Sequence, residues 1–306
     1  MAIKETPEFS VVIVAYNHAK YLAQCIYSVL GQTYHNFEVI VFDDGSTDNT
    51  RDVVSAISDN RIRYFYQENS GLPACGRNRG MALAKGKYIA LLDGDDFWYG
   101  EKLNKCKKVL DNDPDIDLVC HNEDIQYNGK IIRRTSYGPY TERMYDKLLF
   151  EGNCLHTSAV AIRREIFFDD QMRFSEERNL FTIEDYEYWL RLSQRHRFCF
   201  LSEALGCYRV TETGAFMSNA NANTINMLEL LDEHFSRLNS IDKLTQKNIK
   251  KRRSGIMSAV GRTYHHKMDF KKSKEWYIMA ICEYPFNYKA YIGLLAASAK
   301  LRIIYR

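Results

Sequence analysis

The stretch that decides the fold runs from residue 9 to residue 98, where three apolar segments each end in polar residues. They are FSVVIVAYN (9–17), FEVIVFDDGSTD (37–48) and YIALLDGDDFW (88–98). Each segment has the length and the β-branched content of a buried strand and is too short for a buried helix. Apolar residues at helical spacing from Tyr21 to Leu30 predict a helix between the first two, with Gly31 as its stop.

The neighbouring segments continue this alternation of strands and helices. RIRYFYQ (61–67) predicts another strand, and residues 73–85 become helical after a segment punctuated by glycine. Parallel strands joined by helical crossovers form an α/β sheet, whose ligands gather beyond the carboxyl ends of the strands. We therefore expect a Rossmann-like, mostly parallel sheet with a binding site at that edge.

The second half of the chain changes in character. DLVCHNEDIQY (117–127) and SAVAIRREIF (158–167) predict further strand and helix pieces, and FTIEDYEYWLRLSQR (181–195) predicts an amphipathic helix with an acidic start. The pattern is helical from Asn223 onward, and residues 261–298 resemble a helix hairpin of the tetratricopeptide kind. We expect an α/β domain over residues 1–222 and a basic α-helical appendage over residues 223–306.

Charge is divided unevenly along the chain. Of its 42 basic and 39 acidic residues, 15 and 3 lie from Lys243 onward, which gives this region a net charge of +12 and leaves −9 elsewhere. The basic region, which includes KNIKKRR (247–253), is either a solvated face or a surface that meets phosphate or an anionic membrane. No nucleic-acid-binding motif accompanies the charge, so nucleic acid is not an expected partner.

The cysteines and the first residues suggest a compartment. The eight cysteines are scattered, with no CxxC pair, as expected for reduced thiols inside a folded domain. The opening MAIKETPEF is polar and does not read as a signal peptide. We expect a cytoplasmic protein, with peripheral attachment to the inner face of the membrane as a further hypothesis.

Three of the predicted strands end in residues suited to ligand binding: Tyr16 and Asn17, Asp43 and Asp44, and Asp93 and Asp95. Any one of these groups alone is explained as a cap or a turn. The ordered set resembles family 2 of the GT-A glycosyltransferases, over roughly residues 8–215 and most strongly up to Trp98. The resemblance implies a GT-A fold and an inverting glycosyltransferase of the hexosyltransferase class.

The resemblance also implies the reaction. One sugar per encounter would move from a nucleotide-diphosphate sugar, with UDP-sugar as the expected donor, to a saccharide acceptor in surface polysaccharide assembly. Attachment of the basic C-terminal region to a membrane would suit an acceptor that is lipid-linked. The QxxRW signature and the membrane spans of processive relatives are absent, which supports transfer of a single sugar.

In the implied donor site, Tyr16 offers a flat face for uracil and Asp44 an acceptor for its N3 proton. The backbone near Val14 and Ala15 closes this pocket, Asn17 belongs to the same strand end, and Asp43 holds the turn. Asp93 and Asp95 form the DxD pair, whose hard oxygen ligands suit Mn²⁺ or Mg²⁺ on the diphosphate. For Asp96 the sequence favours an N-cap of the helix expected near Tyr99 over a role as an additional ligand.

Arg77 lies in LPACGRNRG (72–80), a segment that matches the family between the second acid pair and the DxD. Its guanidinium would contact the diphosphate or brace the acids, since its planar fork suits paired oxygens. Arg79 is the weaker candidate of the two, and a solvated surface arginine is the alternative for both.

The base that inversion requires comes from FTIEDYEYWLRL (181–192). Glu184 and Asp185 open its helix, where the helix dipole favours ionised carboxylates. The match to the family assigns the base to Asp185; without it, ordinary helix-terminus charge would be the better explanation. Trp189 would line the acceptor site or fill the core. His156, in EGNCLHTSAV (151–160), falls where relatives line the acceptor pocket, although a structural histidine is the favoured interpretation.

The sequence departs from the family at one place. Many relatives carry a metal-binding histidine just after a Tyr-Arg pair, whereas CYRVTETGAFMSN (207–219) has Thr211 and Glu212 there. Glu212 is a candidate substitute ligand; otherwise Asp95, the diphosphate and water would hold the ion. This departure keeps open a nucleotide-sugar-binding or scaffold protein with impaired catalysis. A nucleotidyltransferase is the third hypothesis, but residues 11–21 lack the glycine-rich phosphate loop it would need.

Overall fold

The computed structural model describes residues 6–168, 172–211, 220–238 and 241–301. Its strands are β1 (Phe9–Ala15), β2 (Phe37–Asp43), β3 (Ile62–Tyr66), β4 (Tyr88–Asp93), β5 (Phe97–Trp98), β6 (Ile116–Tyr127), β7 (Lys130–Thr135), β8 (Val160–Arg163) and β9 (Arg197–Val210). Its helices are α1 (Ala19–Leu30), α2 (Thr50–Ser55), α3 (Pro73–Ala82), α4 (Lys102–Asn112), α5 (Met144–Glu151), α6 (Glu165–Phe168), α7 (Glu184–Leu192), α8 (Ala220–Ser236), α9 (Lys243–His266), α10 (Phe270–Glu283) and α11 (Tyr288–Ser298).

Within the described ranges, the strands form one mixed sheet in the order β3-β2-β1-β4-β8-β6-β9-β5, with β7 paired to β6. The first four strands are parallel, as the alternating pattern predicted. The α/β fold with a helical C-terminal region is confirmed. Every antiparallel pairing involves a later strand: β8 runs against β4 and β6, β5 against β9, and β7 against β6.

The centre of the sheet is buried on both faces, which explains why β1 reads as an uninterrupted apolar run. Val11 and Ile13 share a core cluster with Leu22 and Ile26 of α1. The alternate residues of β1 meet α3, because Gly76 and Gly80 bring that helix close: added Cβ atoms would lie 2.8 Å from Val14 Cγ1 and 2.4 Å from Val12 Cγ1, respectively. This close packing sets the position of Arg77 over the carboxyl ends of the strands.

The chain divides into two compact units, one of residues 1–148 with 153–212 and the other of residues 149–152 with 213–306. This division falls ten residues before the limit expected from sequence, so the range 1–222 stays a prediction. The second unit is built on Tyr277, whose ring contacts Gly261 of α9 and Gly293 of α11 so closely that added Cβ atoms would clash at 2.8 and 2.2 Å. Asp242, Asp269 and Asn287 cap α9, α10 and α11.

None of the helices in the described ranges combines the length and the apolar composition needed to cross a membrane.

Candidate functional site

The loops after β1 and β2 are tied together at the carboxyl edge of the sheet. Asn17 adopts a left-handed backbone with φ of 56° and accepts a hydrogen bond from the Thr47 N–H at 2.8 Å, while its own N–H donates to Ser46 Oγ at 2.8 Å. The Tyr16 side chain beside it is 47% exposed. An open aromatic face next to a fixed loop is what stacking of a base requires.

Asp43 and Asp44 have different surroundings. Asp43 is buried and holds the turn, accepting from Ser46 N–H at 2.8 Å and from the Tyr64 hydroxyl at 2.6 Å. Asp44 accepts from the Ser70 hydroxyl at 2.8 Å and from the Gln67 amide. Its N–H donates to the Ala15 carbonyl at 2.9 Å.

The Val14 carbonyl accepts from the Gly94 N–H at 2.9 Å, so it joins β1 to the loop that carries the DxD pair. The residues expected around the nucleotide therefore lie at neighbouring strand ends. Their binding roles stay a prediction.

Arg77 joins two acids that are far apart in sequence. Its Nη1 donates to Glu184 Oε1 at 2.7 Å, and its Nη2 donates to Asp93 Oδ1 at 3.0 Å. The guanidinium is buried and lies 5.5 Å from the centre of the Phe174 ring. Burial alone would raise the pKa of Asp93, but Arg77 and then His156 bring it below its usual value. The exposed Arg79 shares none of these acid contacts.

Asp96 does not cap a helix, so the interpretation favoured from sequence is wrong. The next helix, α4, begins at Lys102 after Glu101, and Asp96 is instead buried behind the DxD loop. It accepts from Ser158 Oγ at 2.6 Å and from Arg209 N–H at 2.8 Å. Burial, together with the charge of Asp95, raises the pKa of Asp96 well above its usual value.

Ser158 is itself held firmly. Its carbonyl accepts from Trp98 Nε1 at 2.7 Å and from the buried Lys102 Nζ at 2.8 Å. Its hydroxyl also accepts from the Asp93 N–H at 3.1 Å. The 3₁₀ turn of residues 157–159 therefore holds the DxD loop in place through hydrogen bonds.

His156, for which the sequence favoured a structural role, lies among the acidic side chains of Asp93, Asp96 and Glu123. Its Nδ1 is 2.8 Å from Glu123 Oε2, and the same oxygen accepts from the Tyr137 hydroxyl at 2.9 Å. Burial alone would lower the pKa of His156, yet Glu123, with Asp96 and Asp93, raises it to about 10. The imidazolium and Arg77 thus compensate part of the negative charge around the DxD loop.

Among the described residues, one group fits a metal ion by distance: ligand atoms of Asp93, Asp96 and His156 all lie within 4.8 Å of one another. Two carboxylates suit a divalent ion such as Mn²⁺, and His156 would join them as a ligand only on losing the proton that its raised pKa retains. The Glu123 carboxylate behind it is a usual companion of a ligating histidine. Asp95, which is half-buried, does not belong to this group. Its assignment as a metal ligand stays a prediction, while Glu212 lies outside the described residues.

Asp185 lies at the start of α7, beside the Arg77–Glu184 ion pair. Burial and the adjacent Glu184 raise the pKa of Asp185 to about 6, and Arg77 offsets part of this rise. Its Oδ2 is 3.4 Å from the Asn153 amide nitrogen. A half-buried carboxylate with a pKa near neutrality can both accept a proton and release it.

Trp189 fills the core. It is fully buried, with its ring edge-on to Phe174 at 5.9 Å and next to Tyr188 at 5.1 Å.

Sequence reasoning missed Glu123 and the roles of Ser158 and Arg209. Arg209 donates to the Asp95 carbonyl and, at 2.7 Å, to Gln24 Oε1, so it fixes the DxD loop from β9. The sequence did hold one signal: the polar run HNED, which follows the apolar residues 118–120, becomes the fully or nearly buried residues 121–124 of β6. Buried polar residues in the middle of a strand mark a site that needs them.

A family model described as glycosyl transferase family 2 matches residues 10–169, about half of the chain. The chain belongs to this family. An uncharacterized glycosyltransferase from Nostoc sp. is 37% identical over 167 residues, which make up 52% of this chain and 52% of the relative. The chain spans about half the length, or less, of this and several other curated relatives that it matches.

Two solved structures share the fold of this family 2 member. TarS 1–349 of S. aureus, crystallised in complex with UDP-GlcNAc, superposes with a TM-score of 0.60 at 20% identity, over 98% of this chain and 93% of that one. The mannosyltransferase PcManGT from Pyrobaculum calidifontis, in complex with GDP-Man and Mn²⁺, gives 0.58 at 15% identity, over 97% and 87%. At these identities the likeness shows the GT-A fold alone.

Proposed function

We propose that this family 2 protein is an inverting glycosyltransferase that moves a single sugar from a UDP-sugar to a saccharide acceptor. The observation that carries the proposal is the double contact of Arg77, which joins Asp93 of the DxD pair to Glu184 beside Asp185. Arg77 thereby brings Asp93, which we assign to the donor phosphates, close to Asp185, which we assign as the base, although 107 residues separate Arg77 from Glu184.

The donor binds where β1, β2 and β4 end. Uracil stacks on the exposed Tyr16 ring, Asp44 accepts a hydrogen bond from its N3–H, and the backbone of Val14 and Ala15 bounds the pocket. The diphosphate lies over the DxD loop.

Asp93, Asp96 and His156 lie close enough together to hold Mn²⁺ or Mg²⁺. Asp95, the other member of the DxD pair, is the further ligand that we propose. When bound, the ion supplies Lewis-acid neutralisation of the departing diphosphate.

Asp185 acts on the acceptor. Its carboxylate takes the proton of the attacking hydroxyl while the new bond forms between that oxygen and the anomeric carbon. The bond from the anomeric carbon to the diphosphate oxygen breaks at the opposite face, so UDP leaves and the configuration inverts. With a pKa of about 6, Asp185 is ionised at neutral pH and can accept the proton of the acceptor hydroxyl.

The replacement Asp185→Asn tests this role. We expect transfer to fall by a factor of about 10² to 10⁴, because the base is lost, while UDP-sugar binding measured by calorimetry is retained. In the wild type, kcat/KM should decline as pH falls through about 6, since Asp185 becomes protonated. NMR of the product should show an anomeric configuration opposite to that of the donor.

The matched control is Glu177→Gln, which removes an exposed acid near the same helix and should leave the rate unchanged. Full activity in Asp185→Asn would reject the assigned base. Nucleotide binding with no transfer to any acceptor in the wild type would instead favour a binding or scaffold protein.

We further propose that the acceptor is lipid-linked, that the pathway builds a surface polysaccharide, and that the enzyme works in the cytoplasm against the inner face of the membrane. The support is the basic C-terminal region, whose charge suits an anionic surface. Transfer to a synthetic saccharide on a lipid diphosphate, compared with the same saccharide free in solution, tests this part. Equal rates on both acceptors would reject it.

A further inference from the structure

Helix α11 is apolar on two opposite sides. Its inner side packs in the second unit through Ala290, Gly293 and Ala297. Its outer side carries four large apolar side chains at i, i+3, i+4 and i+7, which form one stripe along the helix. They are Tyr288, Tyr291, Ile292 and Leu295, exposed by 66%, 42%, 55% and 71%. We call these four residues the α11 outer face.

The apolar surface continues beyond both ends of the helix. Phe286, just before α11, is 79% exposed, and Leu301, just after it, is 60% exposed. A surface helix normally presents polar residues to water, and a contiguous exposed apolar stripe marks a docking surface.

Charge indicates what this surface meets. Residues 284–301 contain no acidic residue, and both of their basic residues, Lys289 and Lys300, are exposed. The described stretch from Lys243 to Leu301 holds 13 basic residues against three acids. One of these acids, Glu283, is already paired with Arg253 at 3.1 Å.

We propose that the α11 outer face docks on an anionic lipid bilayer, with the helix lying in the plane of the headgroups. Aromatic and aliphatic side chains flanked by lysines are the composition of an interfacial helix, since the rings sit at headgroup depth and the ammonium groups meet lipid phosphates. Eleven residues are too few to span the bilayer, so the helix lies on it. The inference rests on the membrane attachment proposed above and names the surface that makes it.

Vesicle sedimentation with the full chain tests the proposal. Wild-type protein should bind vesicles of phosphatidylcholine mixed with phosphatidylglycerol and bind pure phosphatidylcholine weakly, with binding that falls as NaCl is raised. The double variant Ile292→Ser/Leu295→Ser should lose binding by about tenfold or more, because it removes the apolar insertion. The variant Lys289→Glu/Lys300→Glu should lose the preference for phosphatidylglycerol.

The matched control is Ile131→Ser/Ile132→Ser, which removes two isoleucines of β7 that are each 57% exposed on the first unit. It should bind vesicles as the wild type does. Circular dichroism melting should show that all variants remain folded, since every changed side chain is solvent-exposed.

Absence of wild-type binding to phosphatidylglycerol vesicles, or equal binding by the Ile292/Leu295 variant, would overturn the proposal. It would also be overturned if light scattering showed that the wild type is a dimer and that this variant is a monomer, since the α11 outer face would then be a dimer interface. Transfer to a water-soluble acceptor should be the same in wild type and variant. Failure of that transfer in both would count against the proposed function and not against the docking surface.

Discussion

At the scale of single residues, the site depends on buried charged side chains that partly neutralise one another. Arg77 neutralises Asp93 and Glu184, and His156 compensates Glu123 and the acids beyond it. Asp95 and Asp96 keep raised pKa values, so the group as a whole still favours an added cation. The same partial compensation leaves Asp185 with a pKa of about 6, suited to proton transfer.

Replacing Arg77 should therefore disturb both stability and activity. Arg77→Met leaves buried acids without their partner, and we expect a loss of about 3 to 5 kcal/mol in the free energy of unfolding. Urea denaturation followed by circular dichroism measures it. Arg79→Met, on the same helix but exposed, should change stability by less than about 0.5 kcal/mol. Similar losses in the two variants would show that Arg77 does not act as a buried brace.

At the scale of elements, α3 positions the site because two of its residues lack side chains. Gly76 and Gly80 let the helix approach β1, and this approach carries Arg77 to the strand ends. Helix α3 has little apolar asymmetry of its own, so close packing against β1 and β2 holds it in place. The position of α3 therefore depends more on the close fit of its glycines against β1 than on burial of an apolar helix face.

Gly80→Ala should cost about 1 to 3 kcal/mol of unfolding free energy, because its Cβ would lie 2.4 Å from Val12 Cγ1 in a packed core. Gly255→Ala on α9 is the matched change, since nothing lies within 4 Å of that Cβ. There the better helix propensity of alanine should raise stability by about 0.5 to 1 kcal/mol. Thermal and urea unfolding of the two variants should move in opposite directions; a shift of both in the same direction would contradict this account of α3.

At the scale of the whole molecule, ligand binding should be visible as a rise in stability. A ligand that binds only the native state adds about 2.7 kcal/mol at a concentration one hundred times its Kd. We expect UDP with Mn²⁺ to raise the melting temperature more than either does alone, because both belong to one site.

Tyr16→Ala should reduce the UDP-dependent part of that rise, since stacking on a base is worth about 1 to 3 kcal/mol. Tyr27→Ala, which removes a ring 58% exposed on α1, is the control and should leave the shift intact. A UDP shift of equal size in Tyr16→Ala and wild type would remove Tyr16 from the nucleotide pocket.

The sequence by itself determined the alternating elements of the first half, the strand ends that carry the expected donor residues, and the acidic start of α7. These features are local: side-chain periodicity and turn residues act over a few positions and can be read from one stretch. The uneven distribution of charge along the chain also follows directly from the sequence.

Only the tertiary structure decided which polar residues meet. The sheet order places β8 between β4 and β6, so His156, Glu123 and Asp96 converge from three separate segments. Asp96 looked like a helix cap because its sequence neighbours suit one, yet partners 62 and 113 residues away hold it in the interior. Such contacts are set by strand order and register, which cannot be read from one stretch of sequence. A buried charge needs a partner, but that partner can come from any segment of the fold.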